Sequence, residues 1–350
     1  MKTIELGTTG EQVSQLALGC MLMGTMTSEE DSRKILQRYL DSGGNFLDTA
    51  NCYTWWSGPG SMGGESERVL GRWLAEGGRR QRVFLATKGG AMLRNPAMHW
   101  NGAGEPDWES ARRDFEGAGA ATLQRSLDAS LRRLGTDHVD LYYVHVDDWV
   151  TPLEETLEAL GAMVRAGKVR HVGWSNVRTP RLEKILGLCR ENGWPAPVAV
   201  QQQHTYLRPR PGGDHTSIVD DAQLDFLRAH PELRLVAYSP ILKGLYDDAA
   251  KRQGHWLMAP YAGPDSEARL EVLAEAARAL GTRPTPLVLA WLLHASSPSV
   301  VPLIGPRTPE QLEQSLAALA IELPTGLLAR LDGAGARERL ATSKAAEAAL

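Results

Sequence analysis

Apolar residues in this chain fall into short, nearly continuous runs, separated by longer stretches in which they recur at helical intervals. Eight of the runs read as strands: Leu16–Gly19, Asn45–Asp48, Val83–Lys88, Val139–His145, Val169–Ser175, Val198–Gln201, Leu235–Tyr238 and Val300–Ile304. Runs that do not alternate with polar residues predict strands covered on both faces, as in a parallel sheet flanked by helices. Between them, Leu123, Leu127, Leu131, Leu134 and Leu153, Leu157, Leu160, Val164 are spaced three and four apart, which predicts amphipathic helices. No linker or shift in composition divides the eight units. They predict a closed (β/α)8 TIM barrel over residues 1–335 as one domain, rather than a doubly wound sheet. Ile4–Leu6 and Gln12–Ser14 flank a turn at Gly10 and predict a short N-terminal hairpin, and the Ala-rich, charged stretch 336–350 predicts a helical tail.

Two connections are too long for simple strand-to-helix turns: Thr54–Gly63, with Trp55 and Trp56, and Gly89–Gly119, with His99, Trp100 and Trp108. Both follow strands that end in polar residues, so both are expected over the barrel mouth. Trp55, Trp56, Trp100 and Trp108 are then candidates for the walls of a substrate pocket.

Asp48, Tyr53, Lys88 and His145 each stand at or just past the end of a predicted strand. In a β/α barrel those ends converge, so an acid, a phenol, an amine and an imidazole gather into a proton-transfer site. A phenol has an ordinary pKa near about 10 and gives up a proton poorly unless its anion is stabilised. Lys88 is expected to lower that pKa, with Asp48 holding the ammonium and His145 orienting a carbonyl oxygen or sharing in the proton relay. At an effective dielectric of about 20, unit charges roughly 4 Å apart interact by about 4 kcal/mol, enough to matter. None of the four can supply a hydride, so redox chemistry would need a cofactor.

The remaining composition narrows the field. A net charge of -4, from 38 basic and 42 acidic residues, gives no reason to expect nucleic acid or an anionic membrane as a partner. Cys20, Cys52 and Cys189 lack CxxC spacing, which points to neither a disulfide framework nor a zinc site and fits a reduced, cytoplasmic setting. Nine histidines show no HExxH or comparable spacing, so no metal is expected. The stretch Gly58-Pro59-Gly60-Ser61-Met62-Gly63 has GxGxxG spacing but lies within a long loop, not directly after a strand, and reads as loop.

Several segments together resemble the aldo-keto reductases: Asp48-Thr49-Ala50-Asn51-Cys52-Tyr53, Thr87-Lys88, and Asp140-Leu141-Tyr142-Tyr143-Val144-His145. The similarity continues through Gly167–Asn176, Ala237-Tyr238-Ser239-Pro240 and Gly305–Gln311, in family order along almost the whole chain. The resemblance implies a barrel that binds NADP(H) across its mouth and interconverts a small-molecule aldehyde or ketone with its alcohol. It makes Tyr53 the general acid, Asp48 and Lys88 its tuning pair and His145 the carbonyl-orienting group. It assigns Ser175, Asn176 and Gln201 to the nicotinamide carboxamide, with Gly19 and Met21 bordering that end. Ser239, Leu242 and Gly244 fall at the pyrophosphate, and Gly305, Arg307, Gln311 and Ser315 at the adenosine. Where the family has an aromatic ring to stack on the nicotinamide, the register offers His204, with Tyr206 two residues on. Some branches carry a lysine where Gly305 stands; without it, Arg307 is the best cation for a 2′-phosphate. Two other readings stand beside reduction: a Schiff-base aldolase using Lys88, and an NADPH-binding redox sensor or regulatory subunit on the same barrel. Neither oligomeric state nor substrate follows from the sequence.

Overall fold

The computed structural model describes residues 1–58, 60–101, 104–213, 216–294 and 298–335. The stretch 336–350, expected as a helical tail, lies outside the described residues. Two short strands, β1 (Thr3–Glu5) and β2 (Gln12–Ser14), pair antiparallel as the expected hairpin. Eight further strands follow: β3 (Ala17–Gly19), β4 (Phe46–Asp48), β5 (Phe84–Gly89), β6 (Val139–Val144), β7 (Val169–Ser175), β8 (Pro197–Gln203), β9 (Arg234–Tyr238) and β10 (Val300–Ile304). Each pairs in parallel with its neighbours in sequence, and β10 closes on β3, giving the (β/α)8 barrel that the apolar runs predict. The strand ends move by one or two residues from the apolar runs, because pairing continues into polar end positions such as Gly89, Gln202 and Gln203.

The pleat divides each strand's side chains between two cores. Ala17, Phe46, Phe84, Ala86, Leu141, Tyr143, Ala199, Val236 and Val301 point into the barrel and form one buried cluster. Leu18, Leu47, Leu85, Tyr142, Val144, Val172, Trp174 and Val200 point outward and pack with the helices. Leu6 and Val13, fully buried, join the inner cluster and let the hairpin close the end of the barrel where the strands begin. There Arg234 donates to the carbonyl of Glu5 at 2.7 Å.

Helices Glu29–Asp41, Glu65–Leu74, Ala120–Leu134, Leu153–Arg165, Thr179–Asn192 and Asp221–Ala229 each follow one strand, and Pro264–Ala279 with Pro284–His294 fill the interval before β10. Ser28, Asp220 and Thr308 act as N-caps, each accepting a bond from a backbone N–H three residues on. Outward-facing Thr87 donates to the buried Glu67 at 2.6 Å, and Arg133 donates to the other oxygen of Glu67, also at 2.6 Å, which fastens the 65–74 and 120–134 helices to β5. Gly71 lets these two helices meet, since a Cβ there would stand 2.1 Å from the Arg133 carbonyl oxygen. Besides the two long connections expected from the sequence, a third separates β9 from the 264–279 helix, built from the turns Leu242–Asp247 and Trp256–Tyr261 and a short helix, Ala249–Arg252.

Gly71→Ala should lower stability by about 1–3 kcal/mol, the usual result of overpacking against backbone that cannot yield. Gly187→Ala, in the 179–192 helix with open space around it, should instead raise stability by up to about 1 kcal/mol. Urea unfolding of both variants checks the pair. Equal effects would mean that the close approach at Gly71 relaxes freely.

Candidate active site

The polar strand ends converge on the mouth because β4, β5 and β6 each turn their final inward position toward the axis. Asp48 is the last residue of β4 and Lys88 lies one from the end of β5; both are buried. The backbone past β4 then runs up beside β5, with Thr49 N–H on the Ala86 carbonyl at 2.9 Å and Asn51 N–H on the Lys88 carbonyl at 3.0 Å. That path delivers Tyr53 to the mouth, where its N–H is held by the Gly63 carbonyl at 2.8 Å.

The Lys88 ammonium has three protons and three acceptors. It donates to Asp48 Oδ1, to the Thr49 carbonyl at 2.9 Å and to the Tyr53 hydroxyl oxygen at 2.7 Å. The second oxygen of Asp48 accepts from Gln201 Nε2 at 2.8 Å. Beneath the ammonium, 5.6 Å away, lies the ring of Tyr143, which fills the space left by Gly173 on the next strand. Burial pushes the Lys88 pKa down, and the Asp48 charge opposes it. Tyr53 departs from expectation: burial first, then the Asp48 charge, push its pKa well above the usual value. The phenol therefore keeps its proton firmly in the resting site. His145 packs edge-on to the Tyr53 ring, with centroids 5.5 Å apart, and burial followed by the Lys88 charge lowers its pKa to about 3. Its imidazole is neutral, and the buried Nδ1 has no hydrogen-bond partner among the described residues.

Next to this group, Ser175, Asn176 and Gln201 form one hydrogen-bonded set. Ser175 Oγ donates to the Gln201 carbonyl at 2.8 Å, and Asn176 Nδ2 donates to Ser175 Oγ at 3.1 Å and to the His145 carbonyl at 2.8 Å. Tyr238, at the inward-facing end of β9, donates its hydroxyl to Asn176 Oδ1 at 2.9 Å. No motif in the sequence gives Tyr238 a role, although alternation along β9 places it on the same side as the inward Val236. His204 and Tyr206 lie elsewhere: both rings pack toward Trp291 of the 284–294 helix, at 6.5 and 5.1 Å. Three residues past inward-facing Gln201, the alternation turns His204 outward, and Tyr206 is tied by its hydroxyl to the Leu331 carbonyl at 3.0 Å beneath the Arg269 guanidinium. The structure does not bring either one to the carboxamide set.

Among the described residues, only Thr54, Asn176, Ser239, Leu242 and Lys243 have positive φ without being glycine, and all five lie in loops at the mouth. Such conformations cost of order 1–3 kcal/mol each and persist where the surroundings impose them, which marks this face as the functional one. Gly19 ends β3, Met21 follows it half-buried, and Gly244 continues the left-handed turn begun at Leu242. Gly305 and Arg307 are exposed just after β10, and the Arg307 N–H donates to Gln311 Oε1 at 2.8 Å. Ser315 Oγ donates to the Gln311 carbonyl at 3.0 Å, and no ion pair holds the Arg307 guanidinium among the described residues.

The four loop tryptophans cluster, but unequally. Trp55 is the hub, 2% exposed, with Trp56, Trp100 and Trp108 at 6.0, 6.4 and 5.0 Å. It packs the loops together and offers no face to a ligand, whereas Trp108 is exposed and Trp56, 5.0 Å from it, is half-buried. Among the described residues no group of three or more His, Cys, Asp or Glu side chains could hold a metal. Nor is any helix among them long and apolar enough to cross a membrane.

The sequence profile of the Aldo/keto reductase family matches residues 15–336. The chain belongs to the aldo/keto reductase family. It is similar to the uncharacterized oxidoreductase YrpG of Bacillus subtilis, with 33% identity over 95% of both chains. Norsolorinic acid reductase stcV of Emericella nidulans is 32% identical over 90% of this chain and 76% of its own. Among solved structures, the thermostable aldo-keto reductase Tm1743 in complex with the inhibitor epalrestat is 27% identical, covering 95% of this chain and 99% of that one, with a TM-score of 0.69. As an aldo/keto reductase the protein is an oxidoreductase of small carbonyl compounds. In this arrangement all three Lys88 protons are engaged.

Lys88→Met should lower unfolding free energy by about 3–5 kcal/mol, because Asp48 is left buried and unpaired. Adding Asp48→Asn should recover much of that loss. A double variant less stable than the single one, in urea or thermal unfolding, would show that the two side chains do not act as a pair.

Proposed function

We propose that this protein is an NADPH-dependent carbonyl reductase in which Tyr53 is the general acid. The observation that carries this reading is the buried ammonium of Lys88 held between the Asp48 carboxylate and the Tyr53 hydroxyl. A reduced nicotinamide, when bound, supplies the hydride that the side chains lack. The residues present fit such a group. Asn176, Ser175 and Gln201 offer amide and hydroxyl partners to a carboxamide, and Tyr238 offers a ring beside them. The strained Ser239–Gly244 turn and the Arg307 guanidinium suit phosphates, Arg307 being the cation for a 2′-phosphate.

A substrate oxygen approaching Tyr53 meets two neutral donors, its phenol and the imidazole of His145. As the carbonyl carbon gains a hydride, the oxygen takes the Tyr53 proton, and solvent later returns one to the phenolate. The raised resting pKa of Tyr53 keeps the acid loaded. In the transition state the phenolate charge forms 2.7 Å from the ammonium, in a site shielded from water where that contact is worth most. His145 stays uncharged, so it donates a hydrogen bond without competing for the proton.

Tyr53→Phe keeps the ring and removes the proton, so kcat should fall by about 10² to 10⁴ while NADPH still binds. In the wild type, kcat for reduction should stay level from about pH 5 to 9, because His145 is neutral above its lowered pKa and Tyr53 protonated below its raised one. A step near pH 6.5 that vanishes in His145→Ala would contradict this. Arg307→Ala should raise Kd for NADPH by about tenfold or more and barely change Kd for NADH; equal weakening of both would remove Arg307 from 2′-phosphate binding.

A further inference from the structure

Seven large hydrophobic side chains are exposed among the described residues: Met26, Met62, Met98, Trp108, Trp149, Val150 and Trp256. Every one sits in a connection that follows a barrel strand, on the face of the mouth. Five of them lie on the three loops after β4, β5 and β6, away from the segments matched to the cofactor. Scattered apolar residues on a protein surface need no explanation; this gathering on one rim does.

The rim is also held in place. Trp149 is 69% exposed, yet one face of its indole is covered by the Arg181 guanidinium at 4.6 Å. Arg181 in turn donates to Asp147 at 3.2 Å and to the Asp148 carbonyl at 2.6 Å. Asp148 reaches across to accept from Ala118 N–H at 2.8 Å, joining the β6 loop to the end of the long β5 loop that carries Trp108. Trp108 and Trp56 are braced from beneath by Trp55. Three indoles are therefore set in position before any substrate arrives, Trp56 on the loop that carries Tyr53 and Trp149 on the loop that begins at His145, so little side-chain entropy is lost on stacking.

Charge completes the picture. Across residues 49–64, 89–119 and 146–152 the sequence holds seven carboxylates and only three cationic side chains, Arg94, Arg112 and Arg113. Arg113 is paired with Glu109. Arg181, over the Trp149 ring, is already engaged by Asp147 and the Asp148 carbonyl, so a phosphorylated or carboxylated carbonyl compound would meet a net negative border on this side. An uncharged ring system meets apolar, flat walls.

We infer that the carbonyl substrate is an uncharged, flat, multi-ring aromatic aldehyde or ketone that lies along the Trp56, Trp108 and Trp149 rim with its carbonyl at Tyr53. This rests on the reductase reading and names its substrate class.

The full-length protein with NADPH is assayed against benzaldehyde, naphthalene-2-carbaldehyde and anthracene-2-carbaldehyde, with 4-carboxybenzaldehyde and glyceraldehyde 3-phosphate as anionic comparisons. KM should fall about fivefold for each added ring, the amount expected for roughly 40 Å² more apolar surface leaving water. Both anionic compounds should show kcat/KM at least about tenfold below that of benzaldehyde, as a border of like charge disfavours them. Trp149→Ala should narrow the anthracene-to-benzaldehyde difference in KM, and its exposed position spares the fold. A KM indifferent to ring number, or preference for the phosphorylated aldehyde, overturns the substrate class while leaving the reductase intact. If no carbonyl is reduced at all, the reductase reading fails, and the surface is judged by titrating anthracene-2-carbaldehyde against tryptophan fluorescence. Quenching that weakens in Trp149→Ala supports the aromatic rim, and absence of quenching refutes it.

Discussion

A buried ammonium organises this protein. Lys88 and Asp48 are withdrawn from water at a desolvation penalty of several kcal/mol per ion, tolerable only where every proton and lone pair has a partner. The partners come from separate parts of the barrel: the carboxylate from β4, a backbone carbonyl from the turn after it, a phenol from further along that turn, and an amide from β8 to hold the carboxylate's other oxygen. Each partner needs its strand in register. The barrel supplies that register through eight parallel pairings, and the hairpin, the inner cluster and the helix contacts at Gly71 maintain it.

Much of this was legible in the sequence, for identifiable reasons. Strands buried on both faces leave unbroken apolar runs, and a barrel forces the residues at their ends into one place, so Asp48, Lys88, Tyr53 and His145 could be grouped without coordinates. What escaped depended on facing and on solvation. Tyr238 falls at the end of an apolar run like the others, but its role became visible only from its bond to Asn176. His204 lies in the register of a stacking ring, yet the pleat turns it toward Trp291. Lys88 was expected to lower the pKa of Tyr53; burial and then the Asp48 charge raise it instead, and no spacing rule reports the depth of a side chain. The four loop tryptophans looked equivalent in sequence, whereas one of them became the core on which the rest are mounted.

Stability and function are distributed unevenly around the barrel. Tight packing and the hairpin occupy the end where the strands begin. The mouth carries the non-glycine left-handed turns, the exposed indoles and the buried Lys88–Asp48 pair, all features that lower stability taken alone. This division lets the loops vary in length and chemistry above a scaffold that does not have to change with them.

The bond from Gln201 to Asp48 spans the lumen, for β4 and β8 stand opposite each other in the strand order. One residue thus belongs to the Ser175–Asn176 set and to the buried pair that holds the Tyr53 hydroxyl. A barrel of repeated units invites the idea that its halves are exchangeable modules, since β4 falls in the first four strands and β8 in the last four. Here they are not independent. A half-barrel brought in from another enzyme would have to supply an amide at that one position, or leave a carboxylate oxygen of the other half without its donor.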